Sequence, residues 1–212
     1  FSSLSFLTSF FLSFFMLSMK QGEKAIDFAR QILSETVNNK KSPREKLPSI
    51  FDEKYGVFTT LHTYPSHQLR GCIGIPEPVM PLKKALVESA QSVTQDPRFP
   101  VLRSNELDEV VVEITVLTKP EIINAKRSER ILEEIKIGRD GLIIEQGYFK
   151  GLLLPQVPVE QNWDKKTFVE HTCLKAGLST DAWTDENTVI KKFTGQIFSE
   201  EKPFGTVQEK TF

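Results

Sequence analysis

The stretch VVVEITVLT, residues 110–118, decides the fold class of this chain. Apolar residues fill every second position, at Val110, Val112, Ile114 and Val116. This alternation is typical of a β-strand with one face on a hydrophobic core, and it places Glu113 and Thr115 on the opposite face. Glu113 is expected either to face solvent, which is the favoured interpretation, or to pair with Arg70 or Arg98.

Further strand and helix patterns lie on both sides of this stretch. Runs of β-branched and apolar residues predict strands at 57–63, 69–75, 141–146, 148–154 and 189–198. Apolar residues at three- and four-residue spacing predict helices at 22–37, 81–93, 127–135 and 164–176. The expected buried face of the second helix consists of Leu82, Ala85, Leu86, Ser89, Ala90 and Val93. Because several gaps between strands are short enough for hairpins, the pattern indicates an α+β fold, a mainly antiparallel sheet flanked by helices.

The composition is that of an ordinary globular protein. Of 212 residues, 39% are hydrophobic and 26% are charged, which excludes a wholly disordered chain, a collagen-like chain and a coiled coil. A formal net charge of -1 makes nucleic acid an unexpected partner. Two cysteines cannot build a disulfide framework, so a cytoplasmic location is expected. The sequence contains no P-loop, dinucleotide fingerprint, nucleophile elbow or HExxH, and no cofactor is predicted.

The first eighteen residues differ from the rest of the chain. FSSLSFLTSFFLSFFMLS contains eleven apolar residues and seven Ser or Thr, and the first charged residue is Lys20. The segment lacks the basic start of a secretory signal, and its hydroxyls make it marginal as a transmembrane helix. We favour an extension that is not native to the domain, with the true start at Met19. The alternatives are a membrane or interface anchor and an ordered appendage of the domain.

The candidate functional segment is LRGCIG, residues 69–74. If it is extended, Arg70 and Cys72 point to the same face, where the guanidinium favours the reactive thiolate. Gly71 and Gly74 have no Cβ, so the backbone can approach a ligand closely at both positions. The segment therefore predicts a catalytic thiol beside an anion-binding arginine. The alternative is a buried packing cysteine with glycines that only permit close packing of the sheet.

Three other positions are weaker candidates for the same site. His67 precedes Cys72 by five residues and is a candidate general base for the thiol, or else an exposed turn histidine. Asp96 and Arg98 lie in a proline-bounded turn, either as a structural ion pair or as the lining of a cleft in which Arg98 binds ligand. The apolar stretch before Gln156 either packs a hairpin or offers a ligand an apolar wall with an amide.

A metal site is not predicted. The histidines and cysteines have no spacing typical of a metal knuckle. They are His62, His67, His171, Cys72 and Cys173. Cys173 is expected to lie in the core, on the buried face of the last helix.

Several motifs resemble those of the AMMECR-domain family. LRGCIG at 69–74 resembles the family signature, and the other matching stretches are DPRFP at 96–100, VLTKP at 116–120, GLLLPQV at 151–157 with Trp163, and CLKAGL at 173–178 with Trp183. The resemblance covers about residues 19–199 in the family order. It defines an expected AMMECR-like domain at 19–199, between the apolar extension at 1–18 and a polar tail at 200–212.

The resemblance implies a larger antiparallel sheet with flanking helices and a smaller subdomain, with LRGCIG near their junction. It implies no established activity. Some bacterial relatives in the family are associated with Memo-like and radical-SAM proteins, which suggests a partner of that kind but no mechanism.

Two functions of different class follow from these residues. The first is an enzyme, or an enzyme component, that uses Cys72 and Arg70 on a small molecule and predicts a partly exposed Cys72 with a raised thiolate fraction. The second is a non-catalytic module that docks a protein or RNA through the same glycine-rich segment. RNA is the less expected partner, because the basic run at 40–46 has no interleaved aromatic residues.

Overall fold

The computed structural model describes residues 17–41, 46–124 and 128–210. Most of the apolar extension predicted at 1–18 therefore lies outside the described residues, as do the last two residues of the chain. Within the described part, no helix combines the length and the apolarity that a membrane crossing requires.

The described chain contains five α-helices and eight β-strands. The helices are α1 Met19–Val37, α2 Leu82–Val93, α3 Ser128–Glu134, α4 Gln156–Glu160 and α5 Lys165–Lys175. The strands are β1 Gly56–Thr63, β2 Leu69–Ile75, β3 Val110–Leu117, β4 Glu121–Ile122, β5 Asp140–Gln146, β6 Phe149–Leu153, β7 Val189–Glu200 and β8 Val207–Lys210. Single 3₁₀ turns occupy Ser49–Asp52, Ser104–Asp108 and Ala182–Thr184.

The strands form an antiparallel sheet in the order β2-β1-β3-β7-β5-β6. β7 is twelve residues long, so its C-terminal half pairs with β3 and its N-terminal half pairs with β5. β4 and β8 also pair with β7. Because β7 is long enough to pair with both β3 and β5, it connects a larger part of the sheet to a smaller one. The predicted α+β fold is confirmed.

The larger hydrophobic core lies between α1, α2 and one face of β1, β2 and β3. α2 buries the six positions that its periodicity predicted, each at most 1% exposed. The alternating apolar residues of β3 belong to the same core, as predicted. α1 begins in a capping box, in which Ser18 and Gln21 each accept the other's backbone N–H, and this fixes the helix start.

The smaller core packs α3 and α5 against β5 and the N-terminal half of β7. α5 begins after Asp164, whose carboxylate accepts the backbone N–H of Thr167 at 2.7 Å. The helix is followed by Gly177, whose φ of 78° is a conformation that favours glycine. Cys173 is fully buried in this core, as expected.

β3 is buried on both faces, which its alternating sequence did not predict. The face away from α1 and α2, called here the outer face, carries Thr115 at 2% exposure. A third apolar cluster on this face joins Leu117 of β3 to residues of β5, β6 and β7. The expectation that Glu113 faces solvent or pairs with Arg70 or Arg98 is wrong, because its side chain is 12% exposed and pairs with other residues.

The N-terminal boundary of the fold lies before residue 19. Leu17 is fully buried, and its backbone N–H and C=O pair with the side-chain amide of Gln196 at 2.9 and 2.8 Å. Since Ser18 caps α1, both residues belong to the folded domain and not to the extension predicted at 1–18.

The C-terminal segment is also part of the fold. Glu200 is 3% exposed and accepts hydrogen bonds from the Arg30 guanidinium through both oxygens, at 2.8 and 2.5 Å. β8 then pairs with β7, and its Val207 packs on the larger core. Residues 200–210 therefore do not form the polar tail expected at 200–212. The composition concealed the strand, because Val207 is its only apolar residue.

Candidate functional site

The strand β2 presents LRGCIG with alternate residues on opposite faces of the sheet. Gly71 faces α2, where an added Cβ would lie 3.0 Å from a methyl group of Val93. Gly74 faces the outer side, where an added Cβ would overlap the ring of Phe58, 2.2 Å from its nearest atom. The space beside each glycine is therefore filled by one of the protein's own side chains, Val93 at Gly71 and Phe58 at Gly74. Their predicted role in letting a ligand approach is not supported, since packing already fills the space.

Cys72 lies on the outer face in a row of three strands. It stands opposite Thr60 of β1, and Thr60 stands opposite Glu113 of β3. The Thr60 hydroxyl donates a hydrogen bond to the Cys72 sulfur at 3.3 Å. The cysteine is half-buried, so the expected partial exposure is found.

A turn after α2 closes the edge of the sheet at Cys72. β2 is an edge strand whose only strand partner in the described chain is β1. Asp96 accepts the Cys72 backbone N–H at 2.9 Å, and Arg98 donates to the Cys72 carbonyl at 3.0 Å. Asp96 and Arg98 are joined by a 2.7 Å ion pair, so together they replace the missing neighbour strand.

Asp96 and Arg98, called here the clamp, are held together mainly by opposite charges. Asp96 is only 2% exposed. Its carboxylate accepts four hydrogen bonds, one from Cys72 and three from Arg98. The hydrogen bonds from Arg98 hold the pKa of Asp96 well below its ordinary value. The guanidinium side of the pair remains 55% exposed, so Arg98 reaches solvent beside the thiol.

Arg70 has a different partner from the one predicted. Its guanidinium forms an ion pair with Glu106 at 2.9 Å and donates to the carbonyl of Pro100 at 2.9 Å. The Arg70 side chain is 12% exposed and is committed to these contacts. The arginine whose charge acts on Cys72 is therefore Arg98, which the LRGCIG segment alone did not indicate.

The thiol is not activated at rest. Burial raises the pKa of Cys72 above its ordinary value of 9.0, and this outweighs the hydrogen bond from Thr60 and the charge of Arg98, which lower it. The charges of Asp96 and Glu113 raise it further. The predicted increase in thiolate fraction is therefore wrong, because desolvation of the sulfur dominates over the nearby cation.

Three residues of the outer face were missed as a group by sequence reasoning. Glu113 contacts His62 at 3.9 Å and Lys210 at 2.7 Å. Although burial acts to raise it, the hydrogen bond from Lys210 and the nearby His62 imidazole hold the pKa of Glu113 below its ordinary value. His62 follows Thr60 by two positions on β1, and this alternation was the available signal. No sequence signal pointed to Lys210, because its strand was not predicted.

His67 does not lie at the thiol. It is exposed in the turn between β1 and β2, with a φ of 53°, and its ring meets that of Tyr64 edge-on. Three residues of extended strand, about 10 Å, separate Leu69 from Cys72 beyond this turn. The predicted role as a general base is thus not supported, and the exposed-turn alternative matches its position.

Gln156 is the first residue of α4, and its side-chain oxygen is buried without a hydrogen-bond partner in the described part of the chain. This oxygen therefore makes no hydrogen bond to Cys72. Cys173 is separate from the site, and burial raises the pKa of its thiol to about 11. Among the described residues, no group of three or more His, Cys, Asp or Glu side chains is arranged to hold a metal ion.

Comparison with known proteins identifies the family. The model of the AMMECR1 family matches residues 26–198. Protein MJ0810 of Methanocaldococcus jannaschii is 52% identical over 196 residues, which cover 92% of this chain and 98% of that protein. A protein of Aquifex aeolicus is 53% identical over 168 residues, covering 77% of this chain and 86% of that protein.

A solved structure has the same fold. The crystal structure of the uncharacterized protein PH0010 from Pyrococcus horikoshii superposes on this one with a TM-score of 0.84. The two sequences are 45% identical, and the match covers 93% of this chain and 100% of PH0010. The chain belongs to the AMMECR1 family, as the motif resemblance predicted.

Proposed function

We propose that this AMMECR1-family protein is an enzyme, or an enzyme component, that acts on a small molecule at the outer face of β2 through the Cys72 thiol. Arg98 takes the anion-binding role in this proposal, because its side chain is 55% exposed, whereas that of Arg70 is 12% exposed. One observation supports the proposal most. Cys72 is half-exposed, although Asp96 and Arg98 hold its backbone and Thr60 holds its sulfur.

Holding a thiol in this way suits chemistry better than packing. A cysteine that only fills a core needs no exposure and no partner for its sulfur. Here the clamp of Asp96 and Arg98 fixes the backbone, and the Thr60 hydroxyl orients the sulfur. Pre-organised groups of this kind lower the cost of reaching a reactive geometry.

The raised pKa determines how the thiol would work. Cys72 is protonated at neutral pH, so it acts as a nucleophile only when its S–H proton is transferred away. Glu113 and His62 share the outer face and are groups able to accept a proton there. Thr60 and Arg98 favour the thiolate once it forms.

Two alkylating probes that differ only in charge test the anion-binding part of the proposal. Iodoacetamide and iodoacetate react by the same step, in which the S–C bond forms, iodide leaves and the thiol proton passes to buffer. One cation about 6 Å away in water contributes about 0.7 kcal/mol, which is about threefold in rate. We expect the ratio of iodoacetate rate to iodoacetamide rate at Cys72 to be about threefold higher in the native protein than in the unfolded chain.

Two arginine variants distinguish this from a general charge effect. Arg98→Gln should lower the ratio to that of the unfolded chain or below it, because Asp96 then faces the thiol without its cation. Arg130→Gln changes an exposed arginine of α3, the helix that packs in the smaller core, and should leave the ratio unchanged. An equal ratio in the native and unfolded protein, or a native Cys72 that does not react with either probe, would count against the proposal.

A second candidate function is docking of a protein partner, which exposed apolar residues near the end of β2 favour. Tyr64, Leu69 and Val101 are 43%, 42% and 63% exposed, and the contact of Arg70 with Pro100 lies beside the last two. A partner of the Memo-like or radical-SAM kind would bury this patch. Affinity capture from the source cells should then lose its partner with Leu69→Asp and keep it with Cys72→Ser. Retention by both variants would contradict docking at this patch.

A further inference from the structure

The C-terminal strand β8 supplies a side chain to the outer face. β8 lies beyond the segment 26–198 that the family model matches, and it pairs with the end of β7. Val207 is directed to the larger core, whereas Lys210, three residues later, reaches the opposite face. The Lys210 ammonium donates to the carboxylate of Glu113 at 2.7 Å.

One strand, β1, separates this ion pair from the thiol in the sheet. Glu113 stands directly opposite Thr60, which stands directly opposite Cys72. The Glu113 side chain is 12% exposed, and the Lys210 side chain that binds it is 39% exposed. His62 is the other neighbour of the carboxylate, with its Nε2 atom at 3.9 Å.

We propose that Lys210 is a positioning residue of the Cys72 site, which acts through Glu113, and that β8 therefore belongs to the site. The proposal deepens the proposed function and rests on it for the importance of the thiol. Lys210 holds the Glu113 carboxylate in place beside Thr60 and neutralises part of its charge. Without Lys210, the Glu113 carboxylate, separated from the thiol by one strand, would keep His62 as its neighbour at 3.9 Å.

The charges around Glu113 give the sign of the effect. The carboxylate faces His62 from β1 and Lys210 from β8, while Cys72 also experiences Asp96 and Arg98 from the turn after α2. The negative charge of Glu113 acts to raise the pKa of the thiol. Removal of Lys210 leaves that charge less neutralised, so the thiolate becomes less favourable and alkylation slows.

The experiment measures iodoacetamide labelling of Cys72 in the native protein at pH 8. We expect Lys210→Met to slow labelling up to about twofold, the effect of one charge about 10 Å away in water, and Lys210→Arg to restore the wild-type rate. Glu113→Gln should speed labelling, and Lys210→Met added to Glu113→Gln should change the rate little, because Lys210 acts through the carboxylate. Lys202→Met, an exposed lysine of the preceding turn, serves as the matched control and should match the wild type.

A second measurement does not depend on the reactivity of Cys72. The ¹³C resonance of the Glu113 carboxyl should titrate at higher pH in Lys210→Met than in the wild type, since a cation that lowers its pKa is lost. An unchanged Glu113 titration overturns the inference, and so does equal slowing by Lys210→Met with and without Glu113→Gln. A native Cys72 that is inert in all variants contradicts the proposed function instead, and the Glu113 titration alone then decides the inference.

Discussion

Replacing Asp96 by asparagine tests how the edge of the sheet is closed at Cys72. The substitution keeps the size of the side chain but removes its charge and turns one acceptor oxygen into a donor. If the amide nitrogen takes the position of Oδ2, it faces the backbone N–H of Cys72 and Nη2 of Arg98, which are both donors. Two hydrogen bonds to a charged acceptor are then lost.

The size of the effect follows from these two bonds. A hydrogen bond to a charged group contributes about 1.5–3 kcal/mol, so two lost bonds give an upper value of about 3–6 kcal/mol. The Arg98 side chain is 55% exposed and can bind water instead, which reduces its share. We expect Asp96→Asn to lower the free energy of unfolding by about 2–4 kcal/mol at pH 7.

Urea unfolding at two pH values measures this loss. The folded pKa of Asp96 is depressed, so its contribution is complete above the unfolded pKa of about 3.9 and is lost as the pH falls through the folded pKa. The gap between wild type and variant should therefore shrink by about 1 kcal/mol between pH 7 and pH 3. Asp52→Asn removes an exposed ion pair with Lys83 and is the matched control. Equal losses in the two variants would refute the reasoning.

Three further substitutions probe other contacts. Gly74→Ala should destabilise the protein by about 1–3 kcal/mol in urea unfolding, because the new methyl group overlaps the ring of Phe58. Thr60→Val should move the alkylation profile of Cys72 to higher pH, since it removes a hydrogen bond that lowers the pKa of the thiol. Glu200→Gln should cost about 3–5 kcal/mol in thermal or urea unfolding, because it leaves the buried arginine of α1 without its counter-charge.

Each of these has a result that would contradict it. Gly195→Ala introduces a methyl group 3.3 Å from its nearest neighbour, without a left-handed φ, so a loss for Gly74→Ala no greater than for this variant would argue against the clash. An unchanged alkylation profile in Thr60→Val would show that the hydroxyl does not act on the sulfur. If Glu200→Gln lowered the free energy of unfolding by less than about 1 kcal/mol, the ion pair would contribute no more than a surface pair, which contradicts the prediction.

Much of the fold was predictable because local pattern and tertiary structure agree. β2 has the bounds that its β-branched residues and glycines predicted, at Leu69–Ile75. α2 buries its predicted face because a helix against a sheet needs a single apolar stripe. β8 was not predictable in the same way, because a strand of mainly polar residues is stabilised by pairing with the end of β7.

The candidate site was predictable in location but not in its partners. Alternation along β2 predicts the face of the sheet on which Cys72 lies. The ion pair of Arg70, in contrast, depends on Glu106, which is 36 residues away in the sequence. The raised pKa of Cys72 depends on how far the sulfur is buried, which no local pattern shows. Sequence reasoning therefore found the strand that carries the thiol and missed the charges that surround it.

The measurement that tests the central claim most directly is the pH profile of iodoacetamide labelling at Cys72 in the folded protein, with Cys173 as internal control. A thiol that is held in place, half-exposed and protonated should label in the native state with a midpoint above 9.0, while the fully buried Cys173 stays unlabelled until denaturant is added. A midpoint below about 8.5 would show an activated thiolate and contradict the electrostatic account. No labelling of Cys72 before unfolding would contradict the site itself.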